Sequence, residues 1–261
     1  MNSVIKLIQC NLNHCKLASD QMTEKFTRQG LDIAILQEPY CKGKFIQFLK
    51  GGELIYDKKI FSNNDRQFPR ACLMVNKKLN PFLLNDFCFR DLIAVNLSIG
   101  KRKFVVCSVY VENESLDVLN KMKDLVDFCK KKNVQLILGG DFNAHHINWG
   151  SDNDNLRGEI VMDFIGTSGL FIHNQGSRPT FTRTNCSTII DLTLSSQFIS
   201  HKIRNWNVLN EFTGSDHKYI SFELVIDENI NVKTRCPRKT NWEGFRSSMK
   251  KKNFKREREF Q

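Results

Sequence analysis

The sequence predicts an α/β domain in which two packed, mixed β-sheets form a sandwich flanked by helices, over residues 1–226. Segments with strand-like composition outnumber segments with helical periodicity. Some neighbouring strands are separated by a short turn and others by a helix, so we expect both hairpins and crossovers. Polar residues recur where the strands end, which is typical of ligand sites at the edges of open sheets.

In the first half of the chain, the alternating pattern of residues 4–11 predicts a strand, and residues 19–28 predict a helix that Gly30 ends. Residues 32–39 predict a buried strand that stops at a carboxylate and a proline, because proline cannot continue a strand ladder. Further strands are predicted at residues 71–76, 82–89, 92–99 and 103–111. Residues 100–102 contain a glycine and predict a hairpin between the last two of these strands.

The second half of the chain contains two helical patterns. Residues 115–132 carry apolar residues at helical spacing and begin at Ser115, which predicts an N-terminal cap. Residues 156–168 form a second amphipathic pattern that Gly169 ends. Strands are predicted at residues 188–194, 202–209 and 217–226.

The stretch Leu-Ile-Leu-Gly-Gly-Asp-Phe-Asn-Ala at residues 136–144 combines a buried strand with polar chemistry at its end. If the strand continues through the motif, alternation places Asp141 and Asn143 on one side and turns Phe142 into the core. A carboxylate is a hard oxygen ligand, and a carboxamide both donates and accepts hydrogen bonds. Both kinds of group suit a phosphodiester, although such pairs also form ordinary turns.

The composition limits the class of protein. At 261 residues with 41% apolar residues, the chain can bury a large core. No apolar run approaches the roughly 20 residues of a membrane span, and the N-terminus lacks a signal-peptide pattern, so we expect a soluble intracellular protein with no membrane partner. The nine cysteines are scattered, with no Cys-x-x-Cys pair, which predicts reduced, mostly buried thiols without a zinc site or disulfide framework.

The net charge of +11 is concentrated near the C-terminus. Residues 233–261 contain eleven Lys or Arg and three Glu, so they carry +8 of the total. Apolar periodicity fades from residue 227, and we therefore assign residues 227–261 to a basic linker or tail leading to a further region of a longer polypeptide. Such a segment is either a solvated linker or a phosphate-binding arm on a protein that meets nucleic acid.

The polar residues at the strand ends form a set with a common chemistry. They are Asn11, Glu38, Tyr110, Asp141, Asn143, Asp191, Asp216 and His217. The set offers hard oxygen ligands for a divalent cation, a histidine with carboxylates that could orient it, and hydrogen-bond donors for a phosphate. Each residue taken singly is more often an ordinary strand-end polar group, so the order of the whole set carries the prediction.

Six segments resemble, in order, the motifs of the exonuclease–endonuclease–phosphatase superfamily of metal-dependent phosphoesterases. They are Gln9-Cys10-Asn11, Leu36-Gln37-Glu38, Ser108-Val109-Tyr110, Gly140-Asp141-Phe142-Asn143, Ile190-Asp191-Leu192 and Ser215-Asp216-His217. They span nearly the whole domain. The resemblance implies the fold of that superfamily and hydrolysis of a phosphoester with a divalent metal.

Further segments resemble the endonuclease domain of non-LTR, or LINE-type, retrotransposons, especially insect elements that insert at specific sequences. They are residues 36–40 (Leu-Gln-Glu-Pro-Tyr), 140–146 (Gly-Asp-Phe-Asn-Ala-His-His), 149–151 (Trp-Gly-Ser), 177–181 (Ser-Arg-Pro-Thr-Phe) and 187–193 (Ser-Thr-Ile-Ile-Asp-Leu-Thr). This resemblance implies an enzyme that uses Mg²⁺, with Mn²⁺ as a substitute, to nick double-stranded target DNA in the nucleus. The nick would leave a 3′-hydroxyl primer for a reverse transcriptase that follows in the same polypeptide.

The resemblance also implies roles for the metal-binding side of the site. Glu38 would be the principal Mg²⁺ ligand, with Asn11 beside it and Asp216 as a second acidic group near the metal. Asp141 would orient or deprotonate the attacking water.

The phosphate-binding side would be formed by Asn143 and Tyr110, which would hold the scissile phosphate. His217 would contact a phosphate oxygen and stabilise charge in the transition state, while Asp191 fixes its tautomer and orientation. Whether Asp141 or the pair of His217 and Asp191 takes the water's proton stays open at this stage.

Residues in the loops beside these motifs are candidates for DNA contact. They are Lys16, Tyr40, Lys42, Arg178, Thr180 and Arg183. The alternative for the segment between Arg178 and Arg183 is a solvated hairpin. His145 and His146 invite a zinc interpretation, but adjacent residues of an extended chain point to opposite faces, so we expect a structural or DNA-facing role.

Three functions from different classes remain to be compared. The first is the DNA endonuclease, and the second is another phosphoesterase of the superfamily, such as a phosphatase or an abasic-site endonuclease. The third is a nucleic-acid-binding domain with a vestigial site. The six intact segments weigh against the third, and the retrotransposon-type segments weigh against the second.

Overall fold

The computed structural model describes residues 3–43, 45–59, 68–99, 102–112 and 117–226. The strands in this part of the chain are β1 (Ser3–Asn11), β2 (Ile33–Gln37), β3 (Cys41–Lys42), β4 (Phe45–Ile46), β5 (Glu53–Ile55), β6 (Ala71–Val75), β7 (Phe82–Phe89), β8 (Leu92–Ile99), β9 (Arg102–Tyr110), β10 (Gln135–Asp141), β11 (Leu170–Ile172), β12 (Phe181–Arg183), β13 (Cys186–Thr188), β14 (Asp191–Ser196), β15 (Ile203–Val208) and β16 (Ile220–Ile226).

The α-helices are α1 (Lys16–Arg28), α2 (Asp117–Lys132), α3 (Leu156–Ser168) and α4 (Gln197–Ser200), and short 3-10 helices occur at Lys77–Leu79 and Ile147–Trp149. Within the described ranges, no helix has both the length and the apolar character needed to cross a membrane.

Two six-stranded mixed sheets form the body of the domain. The first sheet has the order β15-β16-β1-β2-β6-β5, and the second has the order β11-β14-β10-β9-β8-β7. In each sheet one central pair is parallel, β1 with β2 and β9 with β10, and the connection between the two strands is a helix, α1 or α2. A parallel pair requires such a crossover, so these two helices determine which ends of the strands meet. The predicted fold class is confirmed.

The core consists of three apolar layers. The facing surfaces of the two sheets pack on each other through residues such as Ile35 and Val106, α1 covers the outer face of the first sheet through Met22, and α2 and α3 cover the second through Met122 and Phe164. Both faces of each sheet are therefore buried, which explains why the central strands are continuous apolar runs.

A small polar network lies within the apolar layer between the sheets. The side-chain nitrogen of Gln9 donates to the carbonyl oxygens of Gly140 and Leu192, at 3.2 Å each, and its oxygen accepts from the Thr193 hydroxyl at 3.1 Å. These bonds join β1 of the first sheet to β10 and β14 of the second. Because an unmade bond of a buried amide costs about 1–3 kcal/mol, the network favours one relative position of the two sheets.

A second contact of the same kind lies on the neighbouring strands. The Gln37 side-chain nitrogen donates to the Ser108 hydroxyl at 2.9 Å, and that hydroxyl donates to the Leu36 carbonyl oxygen at 2.7 Å. β2 and β9 are therefore also joined across the sandwich, one residue before Glu38 and two residues before Tyr110.

Helix α1 begins three residues before the predicted start. Ser19 was expected near the N-terminus, but it is buried inside the helix, where its hydroxyl donates to the carbonyl oxygen of Cys15 at 3.1 Å. A helical serine can satisfy its hydroxyl in this way, so it does not need to be a cap. The expected cap at Ser115 and the turn at residues 100 and 101 lie outside the described residues, as does the basic segment 227–261.

The strand predicted at residues 188–194 is two strands in two different sheets. β13 pairs with β12, whereas β14 pairs with β10 and β11. The residues between them use their backbone groups elsewhere: the Ile189 carbonyl oxygen accepts from Trp149 and Ser151, and the Ile190 carbonyl oxygen accepts from the Phe142 N–H. The strands β3, β4, β5 and β11 and the helix α4 were not predicted, because each has only two to four residues.

Two glycines offer a test of how closely β9 and β10 pack. A Cβ atom at Gly140 would collide with the carbonyl oxygen of Val109, whereas a Cβ at Gly166, on the exposed side of α3, meets nothing within 4 Å. We expect Gly140→Ala to lower the free energy of unfolding by about 2 kcal/mol or more, and Gly166→Ala to raise it by about 0.5–1 kcal/mol. Urea unfolding monitored by circular dichroism checks both, and equal effects would contradict this packing.

Candidate active site at the shared edge of the two sheets

Polar side chains from both sheets meet at one edge of the sandwich. They come from the ends of β1, β2, β9 and β10, and from the starts of β14 and β16, whose antiparallel direction brings their first residues to the same edge. The residues at these positions are Asn11, Glu38, Tyr110, Asp141, Asp191 and His217. The order and direction of the strands therefore bring these side chains together, and each sheet contributes some of them.

Asn11 joins the two halves of the site. Its side-chain nitrogen donates to a carboxylate oxygen of Glu38 at 3.1 Å and to one of Asp141 at 2.9 Å, while its oxygen accepts the backbone N–H of Asn13 at 2.8 Å. The residue is fully buried. In this geometry the amide nitrogen of Asn11 faces the carboxylates, so Asn11 holds Glu38 and Asp141 at fixed positions.

His217 and Asp191 form a buried hydrogen-bonded pair. His217 Nδ1 lies 2.9 Å and 3.1 Å from the two carboxylate oxygens of Asp191, and Nε2 lies 3.8 Å from Asp141 Oδ2. Phe181 packs edge-on against the imidazole, with ring centres 4.9 Å apart. Nδ1 is thus committed to Asp191, and Nε2 faces Asp141.

The charges of the site shift the pKa values of its buried groups. Burial raises the pKa of Asp141, as does the negative charge of Asp191, to about 7, against the opposing effect of His217 and of the hydrogen bonds from Asn11 and Asn143. Burial lowers the pKa of His217, but the charge and hydrogen bond of Asp191, with the charges of Asp141 and Glu38, raise it to about 9. The site therefore holds more negative charge than its buried position favours.

Asn143 does not continue the strand. β10 ends at Asp141, Phe142 is fully buried as expected, and Asn143 has a left-handed backbone with φ of 48°. The strand therefore does not continue through the motif, and the condition under which alternation places Asp141 and Asn143 on one side is not met. The backbone N–H of Asn143 instead donates to Asp141 Oδ1 at 3.0 Å, and its side-chain nitrogen donates to the Val111 carbonyl oxygen at 3.1 Å.

Tyr110 is held by an ion-pair cluster that the sequence did not indicate. Its hydroxyl is close enough to Glu38 for that carboxylate to raise the pKa of Tyr110, and the Arg70 guanidinium lies 4.7 Å from the centre of its ring. Burial raises the pKa of Tyr110 well above its ordinary value, as do the charges of Glu38 and Asp141. Arg70 is itself fixed by Asp91, at 2.6 Å and 2.7 Å, and by Glu112.

His14 is a second residue that the sequence analysis missed. Its Nε2 lies 3.3 Å from Glu38 Oε1. The hydrogen bond with Glu38 raises the pKa of His14. Burial raises the pKa of Glu38, but hydrogen bonds from His14 and Asn11, together with the charge of His14 and a bond to Tyr110, lower it below its ordinary value. His14 stands three residues after Asn11, in the same loop, and that proximity was the available signal.

The donor set fits a divalent cation. Among the described residues, one oxygen or nitrogen each from Asp141, Asp191 and His217 lie within 4.8 Å of one another, and Glu38 is linked to this group by Asn11. Carboxylate oxygens are the preferred ligands of hard divalent ions. A cation would also neutralise the negative charge that raises the pKa of Asp141.

Asp216 lies at the rim beside this cluster. Its carboxylate accepts from the Asn13 side chain at 3.3 Å and lies 3.9 Å from Arg183 Nε, with 35% of the side chain exposed.

His146 has structural contacts: its Nδ1 accepts the Asn148 N–H at 3.1 Å, and its ring packs on Trp149. Of the two expected roles, structural or DNA-facing, these contacts of His146 fit the structural one.

The loops around the edge place the predicted DNA-contact residues differently. Arg183 is 74% exposed at the end of β12, and Lys16 is exposed at the start of α1, with Nζ 4.6 Å from the centre of the Phe48 ring. Tyr40 packs on the same ring from the other loop. Lys42 is exposed in β3. Lys16, Tyr40 and Lys42 therefore lie on the segments that follow β1 and β2, and Arg183 lies on the hairpin before β14.

Two residues of the predicted DNA-contact loop have structural bonds. Thr180 is fully buried, and its hydroxyl accepts the backbone N–H groups of Ile190 and Asp191 at 3.1 Å each. A side chain in that position cannot reach DNA, so the prediction for Thr180 is wrong, and its role is to fix the start of β14. Arg178 donates to the Val208 carbonyl oxygen at 2.7 Å.

Comparisons with known proteins show which sequences and folds this chain is similar to. Residues 104–221 match the family described as endonuclease–reverse transcriptase. The structure is similar to the endonuclease domain of TRAS1, a telomere-specific non-LTR retrotransposon, with 25% sequence identity and a TM-score of 0.75 over 84% of this chain and 98% of that one. The chain has the fold of the exonuclease–endonuclease–phosphatase superfamily.

Two solved structures of lower sequence identity share the fold. The AP endonuclease LMAP from Leishmania major is 10% identical, with a TM-score of 0.67 over 85% of this chain and 87% of that one. The 3′-5′ exonuclease NExo from Neisseria meningitidis is 17% identical, with a TM-score of 0.62 over 84% and 99%. No curated protein matches the sequence.

The raised pKa of Asp141 predicts that substituting this residue stabilises the metal-free protein. The pKa of Asp141 is about 7 in the folded protein and about 4 in the unfolded chain. The free energy of unfolding therefore falls as the pH rises from about 4 to 7, because the folded state keeps the proton over this range and the unfolded state does not. In metal-free protein, Asp141→Asn should raise the free energy of unfolding by about 1–3 kcal/mol at pH 8 and by much less at pH 4.

Urea unfolding with a chelator present, at both pH values, measures this difference. Asp124→Asn, on the exposed face of α2, is the matched control and should change stability by less than about 0.5 kcal/mol. An Asp141→Asn effect that is the same at both pH values would contradict the electrostatic explanation.

Proposed function

We propose that this domain is a Mg²⁺-dependent endonuclease that nicks one strand of double-stranded DNA and leaves a 3′-hydroxyl end. The observation that carries the proposal is the cluster in which Asn11 bridges Glu38 and Asp141, next to the pair of His217 and Asp191. The cluster offers oxygen ligands and an oriented histidine at one sheet edge. The similarity to a retrotransposon endonuclease domain supports DNA as the substrate.

Glu38 is the principal metal ligand in this proposal, with Asp216 as a second acidic group at the rim. Asn11 keeps Glu38 and Asp141 in place through its amide nitrogen. A bound Mg²⁺ supplies positive charge beside the phosphate, and Mn²⁺ can replace it because both ions take oxygen ligands.

The proton of the attacking water has two candidate acceptors. Asp141 Oδ2 is buried and lies 3.8 Å from His217 Nε2, so a water bound between them can give its proton to the carboxylate. The alternative acceptor is Nε2 itself, with Asp191 holding the imidazole through Nδ1. In the first case the protonated His217 faces the phosphate and stabilises its negative charge.

The remaining polar groups are proposed to hold the phosphate. Asn143 uses one side-chain N–H for the Val111 carbonyl oxygen and has a second N–H available for an oxygen of the phosphate. Tyr110 brings a hydroxyl beside Glu38, with its ring fixed by Arg70. Both residues lie at the end of a central strand, where the position of the backbone is well determined.

The proposed product agrees with the needs of a downstream polymerase. In-line attack by water expels the oxygen opposite to it, and we propose that this is the 3′ oxygen, as in the family that the chain resembles. The nick then carries a 3′-hydroxyl, from which a reverse transcriptase in the same polypeptide extends. We propose that the endonuclease acts in the nucleus, where the target DNA lies. The basic segment 227–261 would add contacts to DNA phosphates without sequence preference.

The first functional prediction concerns the catalytic groups. Asp141→Ala and His217→Ala should each reduce Mg²⁺-dependent nicking of supercoiled plasmid by about a thousandfold or more, because each removes a group that acts on the reacting atoms. His201→Ala, an exposed histidine after α4, is the control and should nick normally. Full activity in either site variant would refute the assignment of the site.

A second prediction concerns the ends of the nick. Plasmid nicked by the wild-type domain should be extended directly by a DNA polymerase and resealed by ligase, because both need a 3′-hydroxyl. If extension requires prior removal of a 3′-phosphate, the proposed bond cleavage and the priming role are both wrong.

The third prediction separates specificity from catalysis. The tip of the hairpin formed by β12 and β13 is exposed, whereas Thr180 and Phe181 at its base support Asp191 and His217. Replacing residues 183–186 with a Gly/Ser turn should flatten the distribution of nick positions more than it lowers total nicking. Mapping nicks by primer extension checks this, with Lys123→Ala on α2 as a control. Unchanged preferred sites would place specificity elsewhere.

A further inference from the structure

The loop after β1 holds His14 in an unusual backbone conformation beside Glu38. Asn13 and His14 have φ values of 48° and 51°, and Glu38 has a φ of 44°. Such left-handed conformations are uncommon outside glycine and persist where surrounding contacts determine them. Here the backbone N–H of His14 donates to the carbonyl oxygen of Glu38 at 2.8 Å, so the two residues are joined through the backbone.

The imidazole of His14 is oriented by its two ring nitrogens. Nδ1 lies 3.4 Å from the carbonyl oxygen of Pro39, and Nε2 lies 3.3 Å from Glu38 Oε1. When Nδ1 donates to the carbonyl, Nε2 presents its lone pair toward Glu38. Metal-binding histidines are oriented in this way, with the second ring nitrogen donating to a backbone carbonyl or a carboxylate.

The separation of the two atoms also suits a shared ion. Two ligand atoms bound at about 2.1 Å lie roughly 3.0 Å apart in an octahedral shell and roughly 3.4 Å apart in a tetrahedral one. The observed 3.3 Å falls within this interval. The other oxygen of Glu38 accepts a hydrogen bond from Asn11, so Oε1 is the oxygen that faces His14, whose side chain is 48% exposed.

We propose that His14 is a nitrogen ligand of the divalent cation that Glu38 binds. This inference rests on the proposed function, since it requires a cation at Glu38. An imidazole ligand favours later first-row ions, whereas a site of oxygen ligands alone favours Mg²⁺ or Mn²⁺. His14 therefore raises the affinity of this site for ions such as Co²⁺ relative to Mg²⁺.

The direct test is spectroscopic. Mn²⁺ bound to the full chain should show nitrogen hyperfine coupling in electron spin echo envelope modulation, and the coupling should be lost in His14→Ala. His14→Asn is the second variant, because asparagine tolerates a left-handed backbone better than alanine and has no imidazole. His217→Ala shows whether the other histidine of the site is the source, and His201→Ala is the control for a distant histidine.

Retention of the nitrogen coupling in both His14 variants, or its absence from the wild type, would overturn the proposal. Loss of the coupling in His217→Ala, with its retention in the His14 variants, would assign the nitrogen to His217 and would equally overturn it.

Metal affinity separates this proposal from the proposed function. Calorimetric titration should show that His14→Asn weakens Co²⁺ binding by about tenfold or more and Mg²⁺ binding by less, whereas Glu38→Gln weakens both. If Glu38→Gln weakens binding and His14→Asn leaves the Co²⁺-to-Mg²⁺ ratio unchanged, the His14 proposal fails and the metal site stands. If Glu38→Gln leaves both affinities unchanged, the metal site fails as well.

Discussion

The candidate active site depends on the relative position of the two β-sheets, because neither sheet contains all of its residues. Asn11, Glu38 and His217 belong to strands of the first sheet or to the loops beside them, whereas Asp141 and Asp191 belong to the second. Apolar packing alone tolerates small sliding movements, since it has little directionality. The hydrogen bonds of Gln9 and Gln37 across the sandwich have direction, and they lie immediately below the site.

The same edge is electrostatically unfavourable in the absence of a ligand. Three carboxylates gather where two of them are almost fully buried, and Asp141 responds with a raised pKa. Proteins commonly keep such arrangements where binding or catalysis requires them and compensate elsewhere in the fold. Here the compensation is a large core in three layers, with both faces of each sheet covered.

Much of the fold could be read from the sequence because its signals are local. The long strands have strand-like apolar composition, α2 shows clear helical periodicity, and β7, β8 and α3 have the predicted bounds. The short strands could not be predicted because two to four residues are too few to show a hydrophobic pattern. The strand predicted at residues 188–194 was wrong because the break at Ile189 and Ile190 depends on hydrogen bonds to Trp149, Ser151 and Thr180, which lie elsewhere in the sequence.

The site shows the same division. The strand-end residues could be named from their order, but the partners that hold them could not. Arg70, the residue before β6, contacts the ring of Tyr110 at the end of β9, and Thr180 looked like a loop residue although it is fully buried. The left-handed turn at Asn143 also lay beyond an argument from alternation, because alternation applies only while the strand continues.

The break between β13 and β14 has a consequence for how such domains diversify. The exposed hairpin and the strand carrying Asp191 are consecutive in the chain, yet the Thr180 hydroxyl fastens the hairpin's base to that strand's first N–H groups. Lengthening or exchanging the tip leaves this fastening unchanged. Residues added between positions 183 and 186 therefore leave Asp191 in place, so natural selection does not remove such changes for loss of the site. If the hairpin tip selects the nicked sequence, as proposed, such a lineage can change its target through one small segment while the residues of the proposed catalytic cluster stay unchanged.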